Sequence, residues 1–298
     1  MTRRKTLREL TLKDNFMFGA VMCDEKNCKR LLELVLEFPI ERVEVSKERS
    51  IIYHPEYKGV RLDVYAKDEN NTHYNVEMQA VPYRALGKRA RYYHSQIDMD
   101  LLATGKEYIE LPNTYVIFIC DFDPFGMKKY RYTYRHLCLE SPEAQLEDGY
   151  ETIFLSTCGE NPEEVSKELV KFLAYVRADL DESTADFNDV FVKDLQRAVY
   201  EIKQSRRMGE RYMLTELLMQ DERRAGREEG FAAGRIEGHT EGRIAGHREF
   251  VLELLTELGS VPKELQETII RETDLEQLKH WAKLAARVKS LNQFVAEM

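Results

Sequence analysis

The amino-acid sequence predicts an α/β protein, with a mixed sheet of four to five strands flanked by helices and an all-α C-terminal extension. Three observations favour this class. Apolar and polar residues alternate over residues 60–67 and 73–80, as they do in strands. The continuous apolar run 115–120 is typical of a strand covered on both faces. After residue 158 the strand patterns disappear, and long, charged, amphipathic segments follow.

The individual elements follow one another in a simple order. Apolar residues at helical spacing predict opening helices that end at Pro39. The polar loop 68–72 joins the two alternating strands into a hairpin. A long helix is expected from Pro82 onward, followed by the covered strand and by two further short strands over 130–140 and 149–157.

We divide the chain into a core over 1–158, a helical segment over 159–222 and a third segment over 223–298. The third segment contains glycine at every fourth position from Gly226 to Gly246. If this stretch is helical, its glycines form a strip along which a second helix can approach closely. The pattern therefore predicts a homo-oligomer formed through this arm, and a flexible linker is the alternative.

Composition limits the class of protein and its surroundings. The chain has 298 residues, a net charge of −9 and no apolar stretch of the roughly 18 residues that a membrane span needs. We expect a cytoplasmic protein without a membrane partner. The negative charge argues against non-specific coating of nucleic acid but leaves room for a local basic groove. Five cysteines without a C-x-x-C pair favour reduced thiols over a zinc site at Cys23 and Cys28.

The hairpin carries two carboxylates that its geometry brings together. If the hairpin is symmetric about Asn70, Asp63 lies directly opposite Glu77. Opposed Cβ atoms are about 4.5 to 5.5 Å apart, and like charges at that separation repel each other. A divalent cation bound by both carboxylates would remove the repulsion, and Gln79 projects from the same face. The alternative is a solvent-exposed face on which all three side chains are hydrated.

The predicted helix after the hairpin has a positive face. Arg84, Lys88 and Arg91 occur at positions i, i+4 and i+7, with Arg89 beside them and Tyr92 next in sequence. Such a face can follow the phosphates of a nucleic acid without selecting a sequence. The alternative is a solvated face whose charges are balanced elsewhere.

The ordered set of motifs resembles a known superfamily. The pattern Asp-x13-Glu-x-Gln on a hairpin, with an acidic residue in the preceding helix and a basic helix after it, resembles the PD-(D/E)XK nucleases. The segments LKDNFMFGAVM, RLDVYA, NVEMQ, RARYYHSQ and LLATGKEYIELPNTYVIFI occur in the order found in the Rpn family of recombination-promoting nucleases and transposase-like proteins. The similarity covers roughly residues 8–155, and the glycine-rich tail matches more loosely.

The resemblance implies a restriction-endonuclease-like core that hydrolyses DNA phosphodiester bonds with Mg²⁺, for which Mn²⁺ can substitute. Asp63, Glu77 and the carbonyl of Met78 would hold the metal, and Asp14 would reach it directly or through water. The superfamily has lysine where this chain has Gln79, and the neutral amide can orient water but cannot act as a general base. The alternative function is that of an accessory protein that binds DNA or forms oligomers and keeps the nuclease fold without performing chemistry.

Overall fold

The structure is a computed structural model that describes residues 5–47, 50–51 and 60–298. The strands are β1 Val43–Lys47, β2 Ser50–Ile51, β3 Val60–Arg61, β4 Val64–Asp68, β5 His73–Gln79, β6 Thr114–Cys120, β7 Arg131–Tyr134 and β8 Tyr150–Ser156. The α-helices are α1 Asn15–Met22, α2 Glu25–Leu36, α3 Leu86–Leu101, α4 Lys167–Arg177, α5 Val190–Gln204, α6 Arg206–Glu257, α7 Lys263–Arg271, α8 Leu275–Ala285 and α9 Leu291–Glu297. One compact unit ends at Met213 and the other spans Leu214–Met298.

The first unit is built on a mixed six-stranded sheet with the strand order β1-β4-β5-β6-β8-β7. Strand β6 is parallel to both of its neighbours, and the remaining pairs are antiparallel. The predicted α/β class is confirmed, although the predicted four to five strands fall short by the edge strand β1. That strand offers only Val43 and Val45 as apolar residues, which is too short a pattern for a sequence-based assignment.

Helices cover both faces of the sheet. One face packs its apolar residues, among them Val76, Met78 and Ile117, into a core with α1, α2, α4 and α5. The other face packs Val116 and Phe118 against α3. Because β6 contributes to both cores, it is buried on both sides, as its apolar run predicts.

Helix α3 begins later than the sequence pattern suggests. We expected it to start near Pro82, but it starts at Leu86 because Ala85 adopts a left-handed conformation with φ of 67°. Left-handed backbone at a non-glycine residue interrupts a right-handed helix. Arg84 therefore precedes the helix, and the expected face of Arg84, Lys88 and Arg91 is not a continuous helical row.

The second unit is entirely helical in the part of the chain that the structure describes. The C-terminal part of α6 packs with α7, α8 and α9 around a core that includes Val251, Leu255, Ile269, Leu278 and Phe294. None of the described helices is both long enough and apolar enough to cross a bilayer.

The cysteines are free thiols, and Cys28 and Cys120 are buried. The three-part division of the chain at residues 158 and 222 stays a prediction.

Candidate active site

The candidate site lies where the β4–β5 hairpin faces helix α3. The observed register pairs Val64 with Val76 and Lys67 with His73, which confirms the symmetry about Asn70. Asp68 stabilises the turn, since its Oδ1 accepts hydrogen bonds from the backbone N–H groups of Asn70 and Thr72 at 2.9 and 2.8 Å. This turn fixes the register of the ladder, which ends at the pair Val64 and Val76. The predicted strand over 60–67 is divided into β3 and β4, and Asp63 lies just before β4.

The two carboxylates are held by a reciprocal pair of backbone hydrogen bonds. The N–H of Asp63 donates to Glu77 Oε1 at 3.2 Å, and the N–H of Met78 donates to Asp63 Oδ2 at 3.2 Å. Each carboxylate is therefore oriented by a backbone donor on the opposite side of the hairpin. This arrangement limits side-chain rotation and keeps the two acidic groups facing each other.

Arg89 of α3 binds the remaining oxygen of Glu77. Its Nη2 lies 3.0 Å from Glu77 Oε2, its Nη1 donates to Gln79 Oε1 at 3.0 Å, and its Nε donates to the hydroxyl of Tyr93 at 2.6 Å. The guanidinium carbon also lies 5.1 Å from the ring centroid of Tyr93 and 5.9 Å from that of Phe118. These contacts place a positive charge directly beside Glu77.

The environment of Glu77 is unusual for an acidic residue. Its side chain is only 1% exposed, because α3 covers this face of the hairpin. Burial raises the pKa of Glu77 well above its usual range, the charge of Asp63 raises it further, and Arg89 opposes both effects. The alternative of a hydrated, exposed face is therefore wrong for Glu77, and a second positive charge near it would favour its ionised form.

The donor set fits a hard divalent cation. Asp63 and Glu77 supply carboxylate oxygens, which Mg²⁺ prefers, and Mg²⁺ commonly keeps several waters instead of taking all its ligands from protein. Over residues 5–47, 50–51 and 60–298, no group of three His, Cys, Asp or Glu side chains could hold a metal ion. The acidic side chains that the site offers to a cation are thus two carboxylates.

Asp14 does not join Asp63 and Glu77 in a three-carboxylate group. It stands at the N-cap position of α1, where its Oδ2 accepts a hydrogen bond from the N–H of Thr11 at 2.7 Å. Its Oδ1 forms an ion pair with Lys5 at 2.8 Å. These contacts direct Asp14 to the turn before α1, and its role at the site stays a prediction.

The predicted nucleic-acid-binding residues divide into two groups. The exposed ones are Arg84, in the turn before α3, and Lys88 and Arg91 on α3. Tyr92 is half-buried and packs against the core beneath α3. Arg89 instead turns toward Glu77, away from that exposed surface.

Sequence reasoning missed the contact between α3 and the hairpin. Tyr93 was not among the predicted site residues, yet its hydroxyl accepts from Arg89 and lies 3.4 Å from Glu77 Oε2. Arg89 and Tyr93 are four residues apart and so share a helix face, which was the available signal. Predicting that Arg89 and Tyr93 contact the hairpin also required the position at which α3 begins, because this sets which helix face points toward the hairpin.

The chain matches the family described as "PD-(D/E)XK nuclease family transposase" over residues 12–228, which is most of its length. Comparisons with curated proteins and with solved structures found no match. The matched range contains the whole hairpin, both carboxylates and helix α3. It also contains the six-stranded sheet on which the hairpin is built. The chain therefore belongs to the PD-(D/E)XK nuclease family of transposases.

Proposed function

We propose that this protein is a Mg²⁺-dependent endonuclease that hydrolyses DNA phosphodiester bonds with little sequence preference, with Mn²⁺ able to replace Mg²⁺. The observation that carries this proposal is the pair Asp63 and Glu77, which face each other and are each oriented by a backbone N–H. We further propose that it acts in the cytoplasm, in recombination or in the movement of mobile elements. Membership of a nuclease family of transposases supports this role.

The proposed ligands are Asp63, Glu77 and the backbone carbonyl of Met78. A divalent cation bound there would acidify a water molecule and polarise the phosphoryl group. The side chains of the site would position the groups that take part in this reaction. Gln79 is a neutral side chain whose Oε1 accepts from Arg89 and whose amide donates to the Val81 carbonyl at 2.8 Å, so it serves as a positioning residue.

The proposed DNA-binding surface consists of Arg84, Lys88, Arg91 and Tyr92. The three basic side chains are exposed near the same end of α3 as the candidate site. Contacts with phosphate set affinity and its dependence on salt, without selecting a base sequence. This absence of base-reading elements among the proposed contacts is the reason that we propose little sequence preference.

Plasmid nicking tests the proposal directly. We expect purified wild-type protein to nick supercoiled DNA with Mg²⁺ or Mn²⁺ and to be inactive in EDTA. Asp63→Ala and Glu77→Ala should each reduce nicking at least about a hundredfold, because either change removes half of the charged ligand set. Nicking that persists in EDTA, or variants as active as the wild type, would show that the assignment is wrong.

A second candidate is an accessory protein that binds DNA or assembles with it but does not cleave it. The ion pair between Arg89 and Glu77 favours this candidate, because the buried carboxylate already has a cationic partner without a metal. The nicking assay separates the two. An accessory protein would retard DNA in a binding assay and leave supercoiled plasmid intact at every metal concentration.

We also propose that the chain self-associates through the glycine-rich part of α6. Apart from the backbone of α6 itself, no atom of the described residues lies within 4 Å of the position that a Cβ would take at the repeated glycines, so their surface is open to a second helix. The large apolar residues Phe231 and Ile236 are exposed in the same stretch. A second copy of the chain would cover both the glycines and these side chains.

A further inference from the structure

Arg89 is the residue of the site whose position the proposed function leaves unexplained. An arginine whose only task is to bind phosphate on a surface would extend into solvent, as Arg91 does. Arg89 instead lies against Tyr93 and contacts Glu77 and Gln79 within 3.0 Å. Three of the five N–H groups of the guanidinium donate to described residues, and within that part of the chain the other two are left for another acceptor. Its side chain is still 31% exposed, so an incoming anion can reach it.

The proposed reaction would benefit from a positive charge on the protein in addition to the metal. Phosphodiester cleavage increases negative charge on the phosphoryl oxygens and on the leaving oxygen. Gln79, which stands where the superfamily has lysine, has no charge to offer. The guanidinium held by the Gln79 carbonyl oxygen brings a positive charge to within one hydrogen bond of that position.

We propose that Arg89 is a catalytic residue that supplies, from α3, the positive charge that stabilises the scissile phosphate. This inference rests on the proposed nuclease function and adds a residue to its chemistry. Gln79 and Tyr93 position the guanidinium, and Glu77 Oε2 is its partner while no substrate is bound. When a phosphate is present, the two remaining N–H groups of Arg89 donate to its non-bridging oxygens, as guanidinium groups commonly do.

The contact between Arg89 and Glu77 also affects how tightly the site would bind a metal ion. Arg89 Nη2 donates a hydrogen bond to Glu77 Oε2, and a divalent cation bound by Glu77 would use the same oxygen. The positive charge of Arg89 therefore competes with the metal for Glu77. Removing Arg89 should make the site bind a divalent cation more tightly and cleave more slowly. A purely structural arginine, which only holds Glu77 in place, would have the opposite effect on metal affinity.

The test compares wild type with Arg89→Met and Arg89→Lys in steady-state cleavage and in direct Mn²⁺ titration. We expect Arg89→Met to reduce kcat by about 10²-fold or more, the size seen when one transition-state donor is lost, with KM changed less than about threefold. Its Mn²⁺ affinity, compared with wild type at a pH that keeps Glu77 ionised in both proteins, should rise about threefold or more, because the competing charge at Glu77 has been removed. Arg89→Lys, which keeps the charge, should recover part of kcat.

One control variant and one replacement for the test variant keep the result interpretable. Lys106→Met removes the same charge from an exposed residue whose partner is Glu110, and it should change neither kcat nor Mn²⁺ affinity. If Arg89→Met does not fold by circular dichroism, Arg89→Gln carries the test, since glutamine can still donate a hydrogen bond to Glu77.

The inference is overturned if the folded variant keeps kcat within threefold of wild type, or if its Mn²⁺ affinity falls. These outcomes differ from a failure of the nuclease proposal. Wild-type protein that cleaves nothing contradicts the proposed function itself. An active wild type with an equally active Arg89→Met contradicts only the role of Arg89.

Discussion

Glu77 combines a functional position with a cost to stability. A carboxylate that is almost fully buried must be ionised to bind a cation, but burial favours its neutral form. The backbone N–H of Asp63 and the guanidinium of Arg89 offset part of that cost. Residues of this kind are typical of functional sites, because packing alone would favour an apolar side chain.

Replacing Glu77 with glutamine tests this conflict between stability and function. We expect Glu77→Gln to abolish nicking while the melting temperature in EDTA at pH 8 stays the same or rises. The physical reason is that the raised pKa of Glu77 means that the ionised side chain is less stable in the folded state than in water, and glutamine is neutral. Differential scanning fluorimetry of the metal-free protein measures the effect.

Glu151→Gln is the matched control for that measurement. Glu151 is also buried and also pairs with an arginine, Arg135, but it lies on β8 and outside the candidate site. This variant should nick DNA like the wild type. A Glu77→Gln protein that melts more than about 3 °C lower, which corresponds to roughly 1 kcal/mol for a unit of this size, would show that the buried charge is not costly.

The β4–β5 hairpin was the most predictable element of the site. Its register follows from local information, namely the period-two pattern and the polar loop, in which Asp68 accepts two backbone hydrogen bonds. The start of α3 was not predictable in the same way. Nothing in the sequence between Pro82 and Leu86 marks Ala85 for a left-handed conformation, since glycine is the usual residue there.

Helix α6 has a sequence that is difficult to explain for an isolated helix. Each of the glycines from Gly226 to Gly246 costs about 1 kcal/mol relative to alanine in a helix interior. The structure nevertheless shows one continuous helix over Arg206–Glu257, and the glycine-rich stretch is exposed. A partner helix would offset the cost by close packing along the glycines.

Light scattering on the intact chain tests this self-association. We expect an oligomer for the wild type and a monomer for the triple variant Gly230→Glu, Gly234→Glu and Gly238→Glu. Glutamate is a better helix former than glycine, so the substitutions block close approach without weakening the helix.

The matched control for the triple variant places three glutamates at exposed non-glycine positions in the same part of α6. These substitutions are Ala225→Glu, Ala232→Glu and Thr240→Glu, and this protein should remain an oligomer. Truncation after Gln220 should give a monomer. A monomeric wild type, or a glycine variant that still associates, would contradict the proposal.

The molecule as a whole shows what a sequence can and cannot reveal. The α/β class follows from patterns within single elements, and the family match agrees with it. The covering of the Glu77 face by α3 depends on how distant elements pack, which no local pattern contains. For that reason the sequence indicated which carboxylates face each other but left open whether they are hydrated.

A crystal of the wild-type protein soaked in Mn²⁺ tests whether Asp63 and Glu77 bind a divalent cation together. We expect an anomalous peak between Asp63 and Glu77, at about 2.1 Å from an oxygen of each carboxylate, as is usual for a small divalent ion. The same soak of an Asp63→Ala crystal should lose that peak. A wild-type crystal in which Mn²⁺ binds at full occupancy at other positions, with no peak between these two side chains, would show that the pair is not a metal site.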